Sequence, residues 1–274
     1  MNRMQGRSYW LSIIIGVVGL LLASVSQGSL IVYDSFDYTS GTAVAAGETL
    51  GSAENGFGNA WLLSGLTGEV VNGLDYSGVS SAGNALKITG DGGYLFRGMD
   101  AGFSTGTYYI SYLFYRSSVD AWNLQLKTSS SYGSGPTSGT KLLTTFDSSP
   151  AGRSRIKVGG AGTVGVADVA DYFTYGTTNL ALIKLVITDT DSTAYMNIYN
   201  DGEVIDTASW VITSSDSITG GAGWRLGVSG TSSLTIDEFK IGTELGDVIP
   251  EPATVGLIGV GTFAAFFVRR RIVK

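Results

Sequence analysis

From residue 30 to residue 241 the chain is written in short runs of β-branched, aromatic and leucine residues, broken by Gly, Ser, Asn and Asp. This rhythm constrains the fold more than any other feature. Side chains on a strand alternate between two faces, whereas a helix buries every third or fourth residue. The helical pattern scarcely occurs here. Residues 107–116 (TYYISYLFYR) are the strongest run, with aromatic side chains at both parities. Such bulk predicts a central strand covered on both faces. Residues 180–188 (LALIKLVIT) read as another core strand. Further strands are expected at 30–36, 122–127, 141–146, 154–158, 224–229 and 234–241. Two hairpins are expected. One pairs 85–88 with 93–97 around Thr89-Gly90-Asp91-Gly92. The other pairs 193–199 with 203–209 around Asn200-Asp201-Gly202, residues that tolerate positive φ. Residues 168–175 have room for one helical turn.

About a dozen antiparallel strands at this spacing predict an all-β jelly roll or β-sandwich of roughly 200 residues. No fixed repeat is visible, which disfavours a solenoid or propeller. The expected organisation is a signal peptide at 1–28, one β-sandwich domain at 29–247 and a sorting segment at 248–274. An N-terminal signal helix and a C-terminal transmembrane helix thus flank the sandwich.

Composition excludes several functions. Residues 29–249 hold 11 Lys and Arg against 22 Asp and Glu, a net charge of −11. So acidic a body does not suit nucleic acid or anionic lipid. There is no cysteine, hence no disulfide, thiol nucleophile or thiolate metal site. There is no histidine either, which removes a Ser-His-Asp triad and a His-bound zinc centre.

The two ends read differently from the body. Arg3 and Arg7 precede an apolar stretch at 10–23, and small residues follow, as in a secretory signal peptide. At the other end, residues 253–268 are sixteen residues without a charge, followed by Arg269, Arg270 and Arg271. As a helix they cover about 24 Å, short of a hydrocarbon core of about 30 Å unless the arginines snorkel and the bilayer thins. The arginines hold their end on the cytoplasmic side. Pro250 and Pro252 keep the helix from extending back. On these grounds alone the segment is either a permanent single-span anchor or a processed signal.

The order of parts decides between them. Pro250-Glu251-Pro252, a short Gly-rich apolar span, an arginine cluster and the chain end together resemble the PEP-CTERM sorting signal of Gram-negative bacteria. The resemblance covers residues 248–274. Pro250, Glu251 and Pro252 match its motif, and Arg269, Arg270 and Arg271 its basic stop. It implies cleavage near the motif by an exosortase, a membrane-embedded cysteine transpeptidase-like enzyme, in bacteria that make exopolysaccharide. The inner membrane is then a partner only until the tail is removed, and the destination is the cell envelope, outer surface or extracellular matrix.

A second resemblance concerns the body. It opens with Asp34-Ser35-Phe36-Asp37-Tyr38 and closes with residues 234–242 (LTIDEFKIG), preceded by Asn197-Ile198-Tyr199 and an Asp-Gly turn. This looks like the concanavalin A-like lectin/glucanase jelly roll in its laminin G-like form. That fold implies that the opening and closing strands lie side by side. It also implies carbohydrate chemistry of one of two kinds. The glucanases of that superfamily use a Glu-x-Asp-x-x-Glu strand, because one carboxyl must serve as acid and its partner as nucleophile. No segment here matches. Asp237 and Glu238 are adjacent, so a regular strand sends them to opposite faces. Glycoside hydrolysis therefore stays the alternative. The leading expectation is a non-enzymatic structural or adhesive protein that binds extracellular polysaccharide. Its likeliest aromatic for a sugar face is Trp61, beside the Gly/Asn-rich residues 54–60; Trp122, Trp210 and Trp224 read as core. For Ca²⁺, Asp34 and Asp237 are candidate oxygen ligands if the terminal strands pair. Asp189 and Asp191 read as a solvated turn.

Overall fold

The computed structural model describes residues 29–249, except 52–54, 78, 80–82, 101, 118–120, 128–139, 147–153, 159–166, 170–172, 217–224 and 232. The signal-peptide expectation, residues 250–274 and Trp224 lie outside the described residues.

The run at 107–116 becomes β8 (Gly106–Arg116), at the middle of the larger of two sheets. Its two faces are buried against different partners. Tyr108, Ile110, Tyr112 and Phe114 point between the sheets, while Leu113 joins a separate apolar cluster on the outer side. This is the doubly covered central strand that its aromatic content requires.

The chain opens with β1 (Leu30–Asp34) and β2 (Ala43–Val44) in the larger sheet and crosses to the smaller for β3 (Thr49–Leu50) and β4 (Trp61–Ser64). Then come β5 (Thr67–Asn72), β6 (Asn84–Thr89) and β7 (Asp91–Gly98) before β8. β9 (Trp122–Lys127), β10 (Thr140–Phe146), β11 (Ser154–Val158) and β12 (Ala167–Val169) form one meander. β13 (Thr178–Ile187), β14 (Ser192–Asn200) and β15 (Ile212–Asp216) form another. β16 (Arg225–Thr231), β17 (Leu234–Gly242) and the single turn α1 (Leu245–Val248) close the chain. The larger sheet runs β15-β14-β13-β8-β17-β6-β5-β2, with β1 also on β17. The smaller runs β12-β11-β10-β9-β16-β7-β4-β3. All pairings are antiparallel, so the body is a two-sheet β-sandwich. The opening and closing strands do lie side by side, with Asp34 opposite Phe239.

The expected hairpin at 85–97 is instead a sheet change. β6 pairs with β5 and β17 in the larger sheet, whereas β7 pairs with β4 and β16 in the smaller. The chain turns the corner at Gly90 (φ 133), and its partner arm turns at Gly65 (φ 72). Residues 61–72 and 84–98 are thus one long antiparallel ladder bent over the sandwich edge. The corners touch: a Cβ on Gly93 would lie 2.5 Å from the Ser64 carbonyl oxygen.

The second expected hairpin is corrected in part. The Asn200-Asp201-Gly202 turn forms, with the Glu203 N–H donating to the Asn200 carbonyl at 3.0 Å. Residues 203–209 do not return as a strand, and β14 pairs with β15 instead. Side chains of β14 explain this. The Asn197 Nδ2 donates to the Ser209 carbonyl at 2.7 Å, the Val211 N–H donates to Asn197 Oδ1 at 2.8 Å, and the Tyr199 hydroxyl donates to the Asp206 carbonyl. The segment is held as a loop across the outer face. Of residues 168–175, 168–169 end β12 and 175 begins a turn over 175–176, while 170–172 lie outside the described residues.

The core between the sheets is aromatic along one end. Trp122 and Phe146 stack at 4.3 Å between ring centroids, and Phe114 lies 4.9 Å from Phe146. Among the described residues, no helix is long and apolar enough to cross a membrane.

Candidate functional site

Trp61 opens β4, opposite Leu50 of β3, and its inward position buries it completely. Its indole N–H donates to Asp34 Oδ2 at 2.7 Å. The same oxygen accepts the Tyr38 hydroxyl at 2.9 Å and the Arg97 guanidinium, while the Phe36 N–H donates to Asp34 Oδ1 at 2.7 Å. Arg97 is also wholly buried, with its guanidinium 4.0 Å from the Phe57 ring centroid. Burial pushes the Asp34 carboxyl above its ordinary range, against the pull of these donors and of Arg97. The expectation that Trp61 offers a face to a sugar is therefore corrected. Its ring stacks on Phe36 at 5.7 Å inside the sandwich and shows no surface to solvent.

Asp34 and Asp237 cannot hold one ion. Paired residues share a face of a sheet. Asp34 pairs with Phe239, which lies in the inner core. Asp237 pairs with Leu113, which lies in the outer cluster. The two carboxylates leave opposite faces of the sheet, although their strands pair as expected. Among the described residues no group of three acidic, His or Cys side chains has metal-binding geometry. The Asp189 carboxylate accepts the Thr105 hydroxyl at 2.9 Å, and the Asp191 N–H donates to the Thr188 hydroxyl at 2.9 Å, in an exposed turn.

The adjacent pair at 237–238 departs from regular alternation. Register shifts between Asp237 and Lys240, and Glu238 takes a φ of 50°. This bulge puts both carboxylates on the outer side. Asp237 accepts the Leu74 N–H at 2.8 Å and the Glu238 N–H at 2.7 Å. Glu238 lies 2.8 Å from the Lys240 ammonium and accepts the Tyr33 hydroxyl at 3.4 Å. Burial pushes the Asp237 carboxyl up to about 7, with the two backbone N–H groups opposing and Glu238 adding to the rise. Asp237 is 0% and Glu238 2% exposed, so neither meets a substrate in this state.

The outer face of the larger sheet carries two more features. The first is an aromatic row. Tyr109, Lys184 and Tyr195 stand in register on β8, β13 and β14, and all three are half-buried. Trp210, also half-buried, reaches Tyr195 from the loop 201–211 with 6.1 Å between centroids, and the Lys184 ammonium lies 5.6 Å from the Tyr195 ring. Trp210, expected in the core, is thus a half-buried tryptophan packed on the outer cluster of the larger sheet. Its signal was the poor alternation of the loop around it, where Val204 is 87% exposed.

The second feature is the exit of the chain. α1 seats Val248 in the outer cluster with Leu245 and Ile249 against it. The Ser111 hydroxyl donates to the Val248 carbonyl at 2.8 Å. Beside this exit, the Thr243 N–H donates to the Ser29 carbonyl at 3.2 Å and the Ser29 N–H donates to the Thr243 hydroxyl at 2.9 Å. Both ends of the body therefore leave from one place, and Pro250-Glu251-Pro252 follows at once.

Comparison with known proteins bears on both halves. No curated protein matches the sequence. Solved structures that resemble the body include the exoplasmic/lumenal domain of VIP36 in its Ca²⁺-bound form, at 11% identity and TM-score 0.43, covering 80% of this chain and 97% of that one. The lectin from Bauhinia forficata in complex with GalNAc is similar at 14% identity and TM-score 0.40, covering 74% and 98%. A legume lectin-like domain from Entamoeba histolytica is similar at 10% identity and TM-score 0.37, covering 61% and 87%. The structural neighbours are thus legume-lectin-like folds. At the other end, a family model for the PEP-CTERM protein-sorting motif matches residues 248–271. The chain carries a PEP-CTERM protein-sorting motif directly after its β-sandwich, the mark of an exported, envelope-associated protein.

Proposed function

We propose that this chain is an exosortase-sorted surface or extracellular-matrix protein with a structural or adhesive role and no catalytic step of its own. The motif match at 248–271 is the observation that carries the reading. The acidic body is consistent with it, because a net charge of −11 over 29–249 favours a soluble, unaggregated domain. The enclosure of Asp237 and Glu238 speaks against the hydrolase alternative, since glycoside cleavage needs both carboxyls at the bond.

The adhesive part is placed on the outer face of the larger sheet, at Tyr109, Tyr195 and Trp210. Half-exposed rings offer apolar faces to the C–H side of a pyranose, and Lys184 adds a donor for its hydroxyls. A glycan array probed with the purified chain, with and without calcium, tests this. The expected result is binding to extracellular polysaccharide that falls at least tenfold in Trp210→Ala, with the body still folded by circular dichroism. A blank array would leave an inert scaffold. Release of reducing sugar from a polysaccharide panel would replace the reading by the hydrolase. Delivery is tested separately, by replacing Glu251 and Pro252 and following the body.

A further inference from the structure

We propose that copies of this chain stack head to tail, the outer face of the larger sheet of one copy lying on the outer face of the smaller sheet of the next. Charge divides the molecule between these two faces.

In the smaller sheet β11, β10, β9 and β16 are consecutive neighbours. They contain Lys127, Lys141, Arg155, Lys157 and Arg225 and no Asp or Glu, so five of the body's 11 cations fall in four adjoining strands. Register fixes the side on which Arg155 stands. Ile156, Leu124 and Leu95 occupy one row across β11, β9 and β7, and all three belong to the core between the sheets. The next row holds Arg155, Thr145, Asn123 and Tyr94 and therefore faces outward. Arg155, Thr145 and Tyr94 are half-buried, as is Phe96 on the following outward row. Lys127 is itself enclosed, whereas Arg155 reaches the surface.

The opposite side of the sandwich has the other sign. Asp75 stands between Leu74 and Tyr76, which pack on the outer cluster of the larger sheet, and Asp201 accepts the Ser77 N–H at 2.7 Å. With Glu203 and Asp206 of the loop 201–211, these carboxylates are exposed, and so is Glu69, whose neighbour Val70 points into the core. Against them stand Lys87 and Lys184, both half-buried, while Lys240 is paired with Glu238. Val204 and Val211 are exposed in the middle of this acidic face, beside Trp210. Tyr94 and Phe96 give the basic face an apolar strip of its own. The two faces thus match in charge and in apolar content.

They lie on opposite sides of one body, so the contact between them is heterologous. Each pair leaves one acidic and one basic face uncovered, and the row grows instead of closing. The contact is small. From β12 to β4 there are six strand spacings, which with strands of about six residues makes a face of about 29 by 20 Å. That is roughly 600 Å², below the ~800 Å² per partner of a standard stable interface, so the association is weak and leans on charge. At about 0.1 M salt, screening over about 10 Å weakens the repulsion between whole acidic bodies but spares charges in contact, and at about 1 M, over about 3 Å, it weakens both. The stacking is independent of the sorting motif. It covers Trp210, so a polysaccharide held there and a second copy exclude one another.

Sedimentation velocity of the full chain in nonionic detergent, over a range of protein concentrations, tests the proposal. At about 0.1 M NaCl the average mass is expected to rise past that of a dimer, and at about 1 M the apparent dissociation constant is expected to rise at least tenfold. Arg155→Glu with Lys157→Glu, and separately Asp75→Lys with Asp206→Lys, should each weaken association at least tenfold. An equal mixture of the two variants should recover it, because each keeps the face that the other has lost. Tryptophan fluorescence checks that both remain folded. Single chains at about 0.1 M salt overturn the proposal, and so does association that persists unchanged at about 1 M. A closed dimer, or a mixture of folded variants that stays dissociated, overturns the head-to-tail arrangement. If either variant fails to fold, the concentration and salt dependence of the wild type still decides.

Discussion

Asp237 holds a proton that its unfolded counterpart releases. Its ordinary value lies near 3.8, and burial moves it to about 7 in the folded chain. Between those values the folded state binds the extra proton, so stability falls as pH rises through the window, by up to ~1.4 kcal/mol per unit. Asp237→Asn has no proton to lose. Urea midpoints at pH 4.5, 5.5 and 6.5 are expected to fall more steeply for the wild type than for this variant. Equal slopes would mean that Asp237 stays ionised. At this scale the sequence revealed residue types and concealed partners. Asp34 belonged visibly to an opening strand, but Arg97, 63 residues away, became its counter-ion only through the sheet pairing. The same holds for Glu238. Alternation forecast opposite faces for the adjacent carboxylates, and one positive φ put them on the same face. A bulge leaves little trace in a run such as LTIDEFKI.

The bent ladder formed by β4–β5 and β6–β7 is the element most sensitive to a single methyl group. Gly93 packs on the backbone of Gly65 and Ser64, whereas Gly92, its neighbour, has nothing within 4 Å of an added Cβ. Gly93→Ala is expected to cost roughly 2–3 kcal/mol through overpacking of backbone on backbone. Gly92→Ala, at φ 71, should cost roughly 1 kcal/mol for its left-handed conformation alone. Denaturant midpoints separate the two, and the reverse order would show that the corner is not tight. Long strands were legible because five or more alternating residues carry a period. β2 and β3, two residues each, carry none. β5 was hidden by Gly68 at an inward position, where a Cβ would lie 2.9 Å from Leu63 Cδ2. The turn residues at 89–92 were visible, but their chemistry suits a hairpin and a sandwich corner alike.

On the scale of the whole molecule, the ends and the body belong to one design. β1 and β17 pair, and Ser29 and Thr243 bond, so the described chain enters and leaves the sandwich at one place. The tail was the most legible part of the sequence, because motif, span and arginine cluster stand in fixed order within residues 248–274. The outer face was the least legible, since its aromatic row is assembled from β8, β14 and a loop and forms no local pattern. Delivery of this body to the outside by the motif can be followed directly. The direct measurement is fractionation of an exosortase-carrying Gram-negative host expressing the wild type or the Glu251→Ala, Pro252→Ala variant, with the size and location of the body followed by antibody. A shortened wild-type body at the surface or in the medium, and a full-length variant kept in the membrane fraction, is the expected result. Wild type and variant of equal size, released to the same extent, would contradict it.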